Sequence, residues 1–297
     1  MKNNAEISLD KTDYGFVGHF KAMASPCECL IESDEQKLAL QLTQIAANEG
    51  WRIEKKFSRY LKGNPCDQIN QSNGQPVAID SETFQLLSFA DACYQLSDGL
   101  FDITSGVLRR AWQFKPGAKF PDKEFIDSLL PLIGWKKVTF DENSVCLPPS
   151  MEIDFGGIGK EYAVDKAAQL VAEKAPEVSV VVNFGGDLRV TCPPKNKPRW
   201  QIGVDGKSGT TERAVSLSVG AVCTSGDTER FIMHEGKRYS HILNPKTGWP
   251  AKNAPKTVTV LADQCLQAGL LSTLAILNEE NAESFLQEQG VQYHCYY

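Results

Sequence analysis

Residues Val178 to Val182 form an apolar run broken only by Ser179. A run of this kind has no polar face to offer water, so it reads as a buried strand. It leads straight into Gly185-Gly186-Asp187. Glycines there permit positive φ or close backbone approach, which leaves Asp187 at the end of a core strand. The same residues also read as a plain hairpin turn.

Around this strand, two periodicities alternate along the chain. Phe20 to Ile31 is largely alternating and predicts a strand, as do Trp200 to Val204, Ala214 to Val219 and Val258 to Leu261. Glu35 to Asn48 carries Leu38, Leu40, Leu42, Ile45 and Ala46 at broadly helical spacing, with Ser33 or Asp34 as its cap. Ser81 to Leu96, Lys160 to Val171, Leu266 to Leu277 and Glu280 to Glu288 predict further helices, and residues 193–199 a surface turn between two strands. Strands interrupted by helices without strict βαβ alternation imply an α+β fold.

Several function classes are disfavoured by composition. The formal net charge is −6, which argues against a nucleic-acid partner, since such proteins carry a net basic face. The chain start has no apolar core of a signal peptide, and no apolar run approaches the ~20 residues of a membrane span. A cytoplasmic protein without membrane insertion is expected. The nine cysteines are odd in number, irregularly spaced and without a C-x-x-C pair, as expected of reduced, mostly buried thiols. Cys27 and Cys29, at alternate strand positions, share one face.

Four segments carry candidate chemistry. In IDFGGIGKEYAVD (153–165) a strand is expected to end at Asp154, followed by a glycine turn and a helix from near Lys160. Helix-start amides, the helix dipole and Lys160 together suit a diphosphate, although such a turn is often only a turn. The second segment is the Gly185-Gly186-Asp187 turn. The third runs from AVCTSGDTERF (221–231) to RYSHILNPKTGWP (238–250) and holds Asp227, Arg230 and His241, one of four histidines. Arg230 has a fork suited to phosphate, and residues 244–248 are a turn signature. The fourth, GLFDITSG (99–106), places Asp102 and Thr104 between apolar stretches, while Tyr60 enters a polar loop as a stacking candidate or a core contact.

Taken in order, these segments resemble the ApbE family of FAD:protein FMN transferases. The matching motifs are Ala22-Met23-Ala24-Ser25, Phe57-Ser58-Arg59-Tyr60, Gly99 to Thr104, Asp154 to Asp165, Gly185 to Asp187, Thr224 to Asp227 and Arg238 to Ile242. The resemblance covers roughly residues 20–290 and implies a single domain over 1–297. It also implies a T-fold-related α+β architecture with mostly antiparallel sheets and packed helices. It implies a flavin transferase that moves FMN from FAD to a serine or threonine of a target flavoprotein, releases AMP and uses Mg2+. The alternatives are an FAD-binding paralogue of weakened activity and a metal-dependent FAD pyrophosphatase giving FMN and AMP. Carried over by motif, Met23, Tyr60, Leu100, Phe101, Asp102, Asp154, Lys160, His241 and Ile242 would line the FAD site. Asp227 and His241 would stand by the reacting phosphate, with His241 as the base. The metal positions would be the Gly157 carbonyl, Gly269 and Thr273.

The sequence departs from the family pattern where a cation should bind. The family's aspartate position is Gly269, and Asn244 replaces a common aspartate; elsewhere, within the 154–165 motif, Glu161 stands in place of a glycine. Asp263 or Asp187 could substitute as carboxylates, and Gly269→Asp is expected to raise metal dependence and turnover if the site is degenerate.

Overall fold

A computed structural model describes residues 6–115, 117–207, 210–227 and 230–297. Its centre is an eight-stranded sheet in the order Ser8–Thr12, Gly15–Ala22, Ser25–Ile31, Val180–Phe184, Asp187–Val190, Gly220–Gly226, Thr257–Ala262 and Gln292–Tyr296. Every neighbouring pair in it is antiparallel. The helices are α1 (Gln36–Phe57), α2 (Pro65–Asn70), α3 (Ser81–Leu96), α4 (Lys123–Leu129), α5 (Gly159–Lys174), α6 (Cys265–Leu277) and α7 (Ala282–Glu288).

The valine run explains the layering. Val180, Val182 and Phe184 point into the main core, which α1, α5 and α6 close from one side. Val181 points the other way, into a second cluster with Leu188, Val190, Val222 and Trp200. Trp200 opens a hairpin, Trp200–Lys207 with Thr210–Leu217, that covers this second face. Both faces of the strand are therefore dry. A third, aromatic cluster joins Trp112 to Tyr239, Leu243 and Trp249.

Some expected elements shift. Phe20 to Ile31 is not one strand: the chain reverses at Met23 (φ 54) and Ala24 (φ 59), pairing Ala22 with Ser25. Alternation alone cannot see this reversal, because neither turn residue is a glycine or asparagine. The turn is tied to α1 through the Met23 N–H, which donates to Glu54 Oε2 at 2.9 Å. Helix α1 runs on to Phe57, because Ile53 and Phe57 continue its buried stripe. Its first position follows Glu35, whose side chain makes no cap, while the Ser33 hydroxyl accepts from the Glu35 N–H at 3.1 Å. The last helix begins at Ala282, after a 3-10 turn over Glu279–Asn281. All nine cysteines are free, and six are buried, Cys27 and Cys29 among them.

A charge network fastens α1 to the start of α3 and to α5. Glu82 accepts from Arg52 (2.5 Å), Lys56 (2.6 Å) and the Tyr162 hydroxyl (2.9 Å). Arg52 foremost, against an opposing effect of burial, holds the Glu82 carboxyl down at about 2 from its ordinary 4.5. A carboxyl with a depressed native pKa stabilises the fold fully above 4.5, and that stabilisation fades as pH falls toward 2. Thermal melts across this window should show the wild-type Tm falling more steeply than that of Glu82→Gln. Parallel curves would mean that the network contributes nothing.

Candidate active site

The entrance to α5 is built differently from the strand–turn–helix expected. Met151 to Asp154 joins no ladder. Its backbone is held instead by the Asn70 side chain, which accepts from Ile153 N at 2.7 Å and donates to Ile153 O at 3.0 Å. A further bond runs from Asp154 N to Ile103 O (2.8 Å). A side chain and a 3-10 segment thus satisfy groups that a neighbouring strand would otherwise take. Asp154 accepts from Gly156 N at 3.0 Å and pairs with Arg59 at 2.7 Å. Gly157 lies against the buried Phe101 ring, 3.2 Å from where its Cβ would be. Helix α5 then starts at Gly159 without a side-chain cap, so its first amides have no partner within the helix.

Beyond this turn, α5 meets the Gly185-Gly186 turn. Both glycines have positive φ (60° and 98°), and the turn pairs Phe184 with Asp187. The segment is a hairpin turn, and it also delivers a buried carboxylate: Asp187 Oδ2 lies 2.7 Å from Lys160 Nζ. Burial works against the Lys160 charge, but the Asp187 and Glu161 carboxylates outweigh it and raise the ammonium pKa.

Helices α5 and α6 run antiparallel along this region. Asp165 accepts from the Cys265 and Leu266 amides, each at 3.0 Å, and pairs with Arg189 at 2.8 Å. One turn back along α5, Glu161 faces Gly269. A Cβ on Gly269 would stand 2.6 Å from Glu161 Cγ and 2.9 Å from its Oε1. Glu161 is 8% exposed, and its Oε2 has no hydrogen-bond partner among the described residues. Burial, reinforced by Asp187, pushes its carboxyl pKa well above the usual carboxylate range.

One turn further along α6, Thr273 closes a chain of hydroxyls. Ser272 Oγ donates to Gly269 O at 3.0 Å, which uses its only proton. Ser225 must then donate to Ser272 (2.7 Å), and Thr273 to Ser225 (2.9 Å). The Thr273 oxygen keeps its lone pairs. Asp263, a candidate replacement carboxylate, is exposed just before α6, beyond its Asp165 end.

The third segment converges on the same region. His241 Nδ1 lies 3.1 Å from the Arg230 carbonyl oxygen. A carbonyl can only accept, so Nδ1 carries the hydrogen and Nε2 keeps a lone pair. Burial lowers the imidazole pKa below its ordinary 6.5, and the charges of Asp227 and Lys160 both reach the ring. Asp227 follows the Gly220–Gly226 strand. Its Oδ2 accepts from Arg238 Nε at 2.8 Å, Arg238 also grips its backbone oxygen, and its buried Oδ1 has no partner among the described residues. Arg238, its guanidinium carbon 3.6 Å from the Phe231 ring centre, was visible in the sequence only as part of a motif. The Arg230 side chain is exposed and contributes its carbonyl. Thr228 and Glu229 of this motif lie outside the described residues.

The remaining residues have more local surroundings. Tyr60 is 77% exposed, with the Arg59 guanidinium 5.1 Å from its ring centre. Met23, Leu100 and Ile242 are partly buried against the main core. Asp102 is fully engaged inside the fold: Oδ1 accepts from Thr104 N (2.8 Å) and Oγ1 (2.5 Å), and Oδ2 from Trp135 N (3.0 Å). Its observed work is to hold the 103–110 segment against Trp135. A cleft of ≈ 480 Å3 beside the second half of α5, lined by Ala168, Ala172 and Arg189 among others, includes none of the candidate residues. Among the described residues no group of three or more His, Cys, Asp or Glu side chains is arranged to hold a metal ion.

A long antiparallel sheet backed by helices defines an α+β protein; Lys160 pairs with Asp187 at the α5 start, and the charges of Lys160 and Asp227 both act on His241. The same architecture is found in the ApbE protein of Thermotoga maritima, with a TM-score of 0.86 at 29% identity over 97% of this chain and 93% of that one. The fold is also that of the flavin transferase ApbE from Vibrio cholerae, with a TM-score of 0.77 at 23% identity, covering 97% and 93% of the two chains. The chain belongs to the ApbE family, whose sequence model matches residues 23–296. Curated relatives named FAD:protein FMN transferase include one from Haemophilus influenzae, 29% identical over 95% of this chain and 84% of its own. Another, from Vibrio cholerae, is 29% identical over 77% of this chain and 71% of its own.

Proposed function

We propose that this protein is a cytoplasmic, single-domain FAD:protein FMN transferase. It moves FMN from FAD to a serine or threonine hydroxyl in the flavinylation motif of an acceptor flavoprotein and releases AMP. The observation that carries this reading is the neutral His241, with Nε2 available, within reach of the Lys160 and Asp227 charges.

The reaction needs a nucleophile freed of its proton and a diphosphate held still. The acceptor oxygen forms a bond to the FMN-side phosphorus as the bond from that phosphorus to the bridging oxygen breaks. AMP departs with the electron pair, and His241 Nε2 takes the hydroxyl proton. Lys160 and the first amides of α5 would face the negative charge of the diphosphate. Exposed Tyr60, flanked by Arg59, offers a ring for stacking. Asp154 orients Arg59, and Phe101 packs beneath Gly157. The α5–α6 contact suits a hard cation, because it holds a buried, unpartnered carboxylate oxygen and a threonine oxygen with free lone pairs. The Gly157 carbonyl and Thr273 would hold Mg2+ there, and bound Mg2+ would supply neutralisation of the diphosphate charge. Among the described residues no helix is long and apolar enough to cross a membrane, in keeping with an acceptor met from solution.

The test is direct. The protein, FAD, Mg2+ and an acceptor domain with the motif are mixed, and covalent flavin fluorescence is read on a denaturing gel beside released AMP. Flavin on the acceptor is the expected result. FMN and AMP formed equally without acceptor would make the protein a pyrophosphatase. FAD binding without either product would make it a flavin-holding protein.

A further inference from the structure

Glu161 is a buried acid with one oxygen that the fold leaves unused. It sits in the first turn of α5, is 8% exposed, and leaves Oε2 without a partner among the described residues. Its side chain fills the space beside α6 where any side chain at position 269 would begin, with Cγ 2.6 Å and the carboxylate Oε1 2.9 Å from that Cβ position. The antiparallel α5–α6 pairing sets this carboxylate one helical turn from Thr273, whose oxygen keeps its lone pairs at the end of the Ser225–Ser272 hydroxyl chain. A carboxylate buried without a partner is expensive unless a cation completes it. A hard divalent ion takes carboxylate, hydroxyl and carbonyl oxygens together.

We propose that Glu161, reaching from α5 into the room left by Gly269, is the anionic ligand through which this chain holds its divalent cation. The glycine at 269 and the glutamate at 161 are then one exchange across a helix pair: the carboxylate has moved from one helix to the other, and the site has kept its charge. The inference rests on the reading of a cation-assisted transferase, but its test reads binding alone.

The probe is Mn2+, titrated into the full chain and followed by the loss of its free EPR signal, without FAD and then with FAD at saturation. Wild type should show one saturable site, and Glu161→Gln should weaken it by at least about tenfold. The exchange variant Glu161→Gly with Gly269→Asp should return the affinity to near the wild-type value, which covers the case in which the single variant folds poorly. Mn2+ affinity unchanged in Glu161→Gln, no recovery in a folded exchange variant, or no saturable site in wild type would each overturn the proposal. If Mn2+ binds through Glu161 yet no flavin reaches an acceptor, the transferase reading fails and the ligand assignment stands. If flavin is transferred while Glu161→Gln binds Mn2+ normally, the reverse holds.

Discussion

His241→Asn is expected to lower the rate of flavin transfer by about 10²- to 10⁴-fold, the usual contribution of a positioned general base, while FAD still binds. Asparagine is chosen because its amide N–H can replace the Nδ1–H donated to the Arg230 carbonyl. Local structure is kept, and only the proton-accepting Nε2 is lost. The same geometry fixes the pH dependence. Burial lowers the imidazole pKa below 6.5, so the ring is neutral and competent at pH 7. The transfer rate should therefore be flat above neutrality and fall only on the acid side of the ordinary histidine range. Single-turnover measurements of covalent flavin formation across pH test both statements. An asparagine variant within tenfold of wild type would remove His241 from the proton path, as would an acid limb lying above pH 7.

The sequence was most legible where one physical demand acted alone. A valine run with no polar face had to be a strand covered on both sides, and Val180–Phe184 is one. The apolar spacing of Ser81–Leu96 marked α3 at both ends. The Gly185-Gly186-Asp187 turn was legible in both senses, as a hairpin and as the position of a buried acid. Legibility failed where a partner distant in sequence decides the outcome. Alternation through Phe20 to Ile31 concealed a reversal at two non-glycine residues, because Glu54 on α1 helps to hold that turn. The contacts of Asp102 were equally hidden: Trp135, far along the chain, donates to one of its oxygens. Arg238 was passed over for Arg230, since only the folded hairpin brings it onto Asp227. The changes at 161 and 269 stood apart in the sequence, in different motifs. The pairing of α5 with α6 turns them into one contact.

That contact reverses the expectation for Gly269→Asp. From the sequence alone the substitution restores a missing ligand and should raise metal dependence and turnover. In the folded chain its Cβ would lie 2.6 Å from Glu161 Cγ and 3.0 Å from Cδ, so the glutamate must leave a buried position or the helices must separate. Overpacking of this kind costs about 1–3 kcal/mol, and a third carboxylate beside Glu161 and Asp187 adds like-charge repulsion. Removing a glycine from a helix interior returns only about 1 kcal/mol. The single variant should thus be less stable than wild type, seen as a lower urea midpoint with an unchanged m-value. Mn2+ should recover part of the loss, because an ion that binds only the folded state stabilises it by mass action. Introduced into Glu161→Gly, the same change should be far better tolerated, since the space is then open. The double-mutant cycle should show a coupling of about 0.5–3 kcal/mol, as found for residues in contact. Additive effects, or a Gly269→Asp chain as stable as wild type in the absence of metal, would mean that Glu161 does not occupy the space facing α6. The carboxylate exchange across the two helices would then have no structural basis.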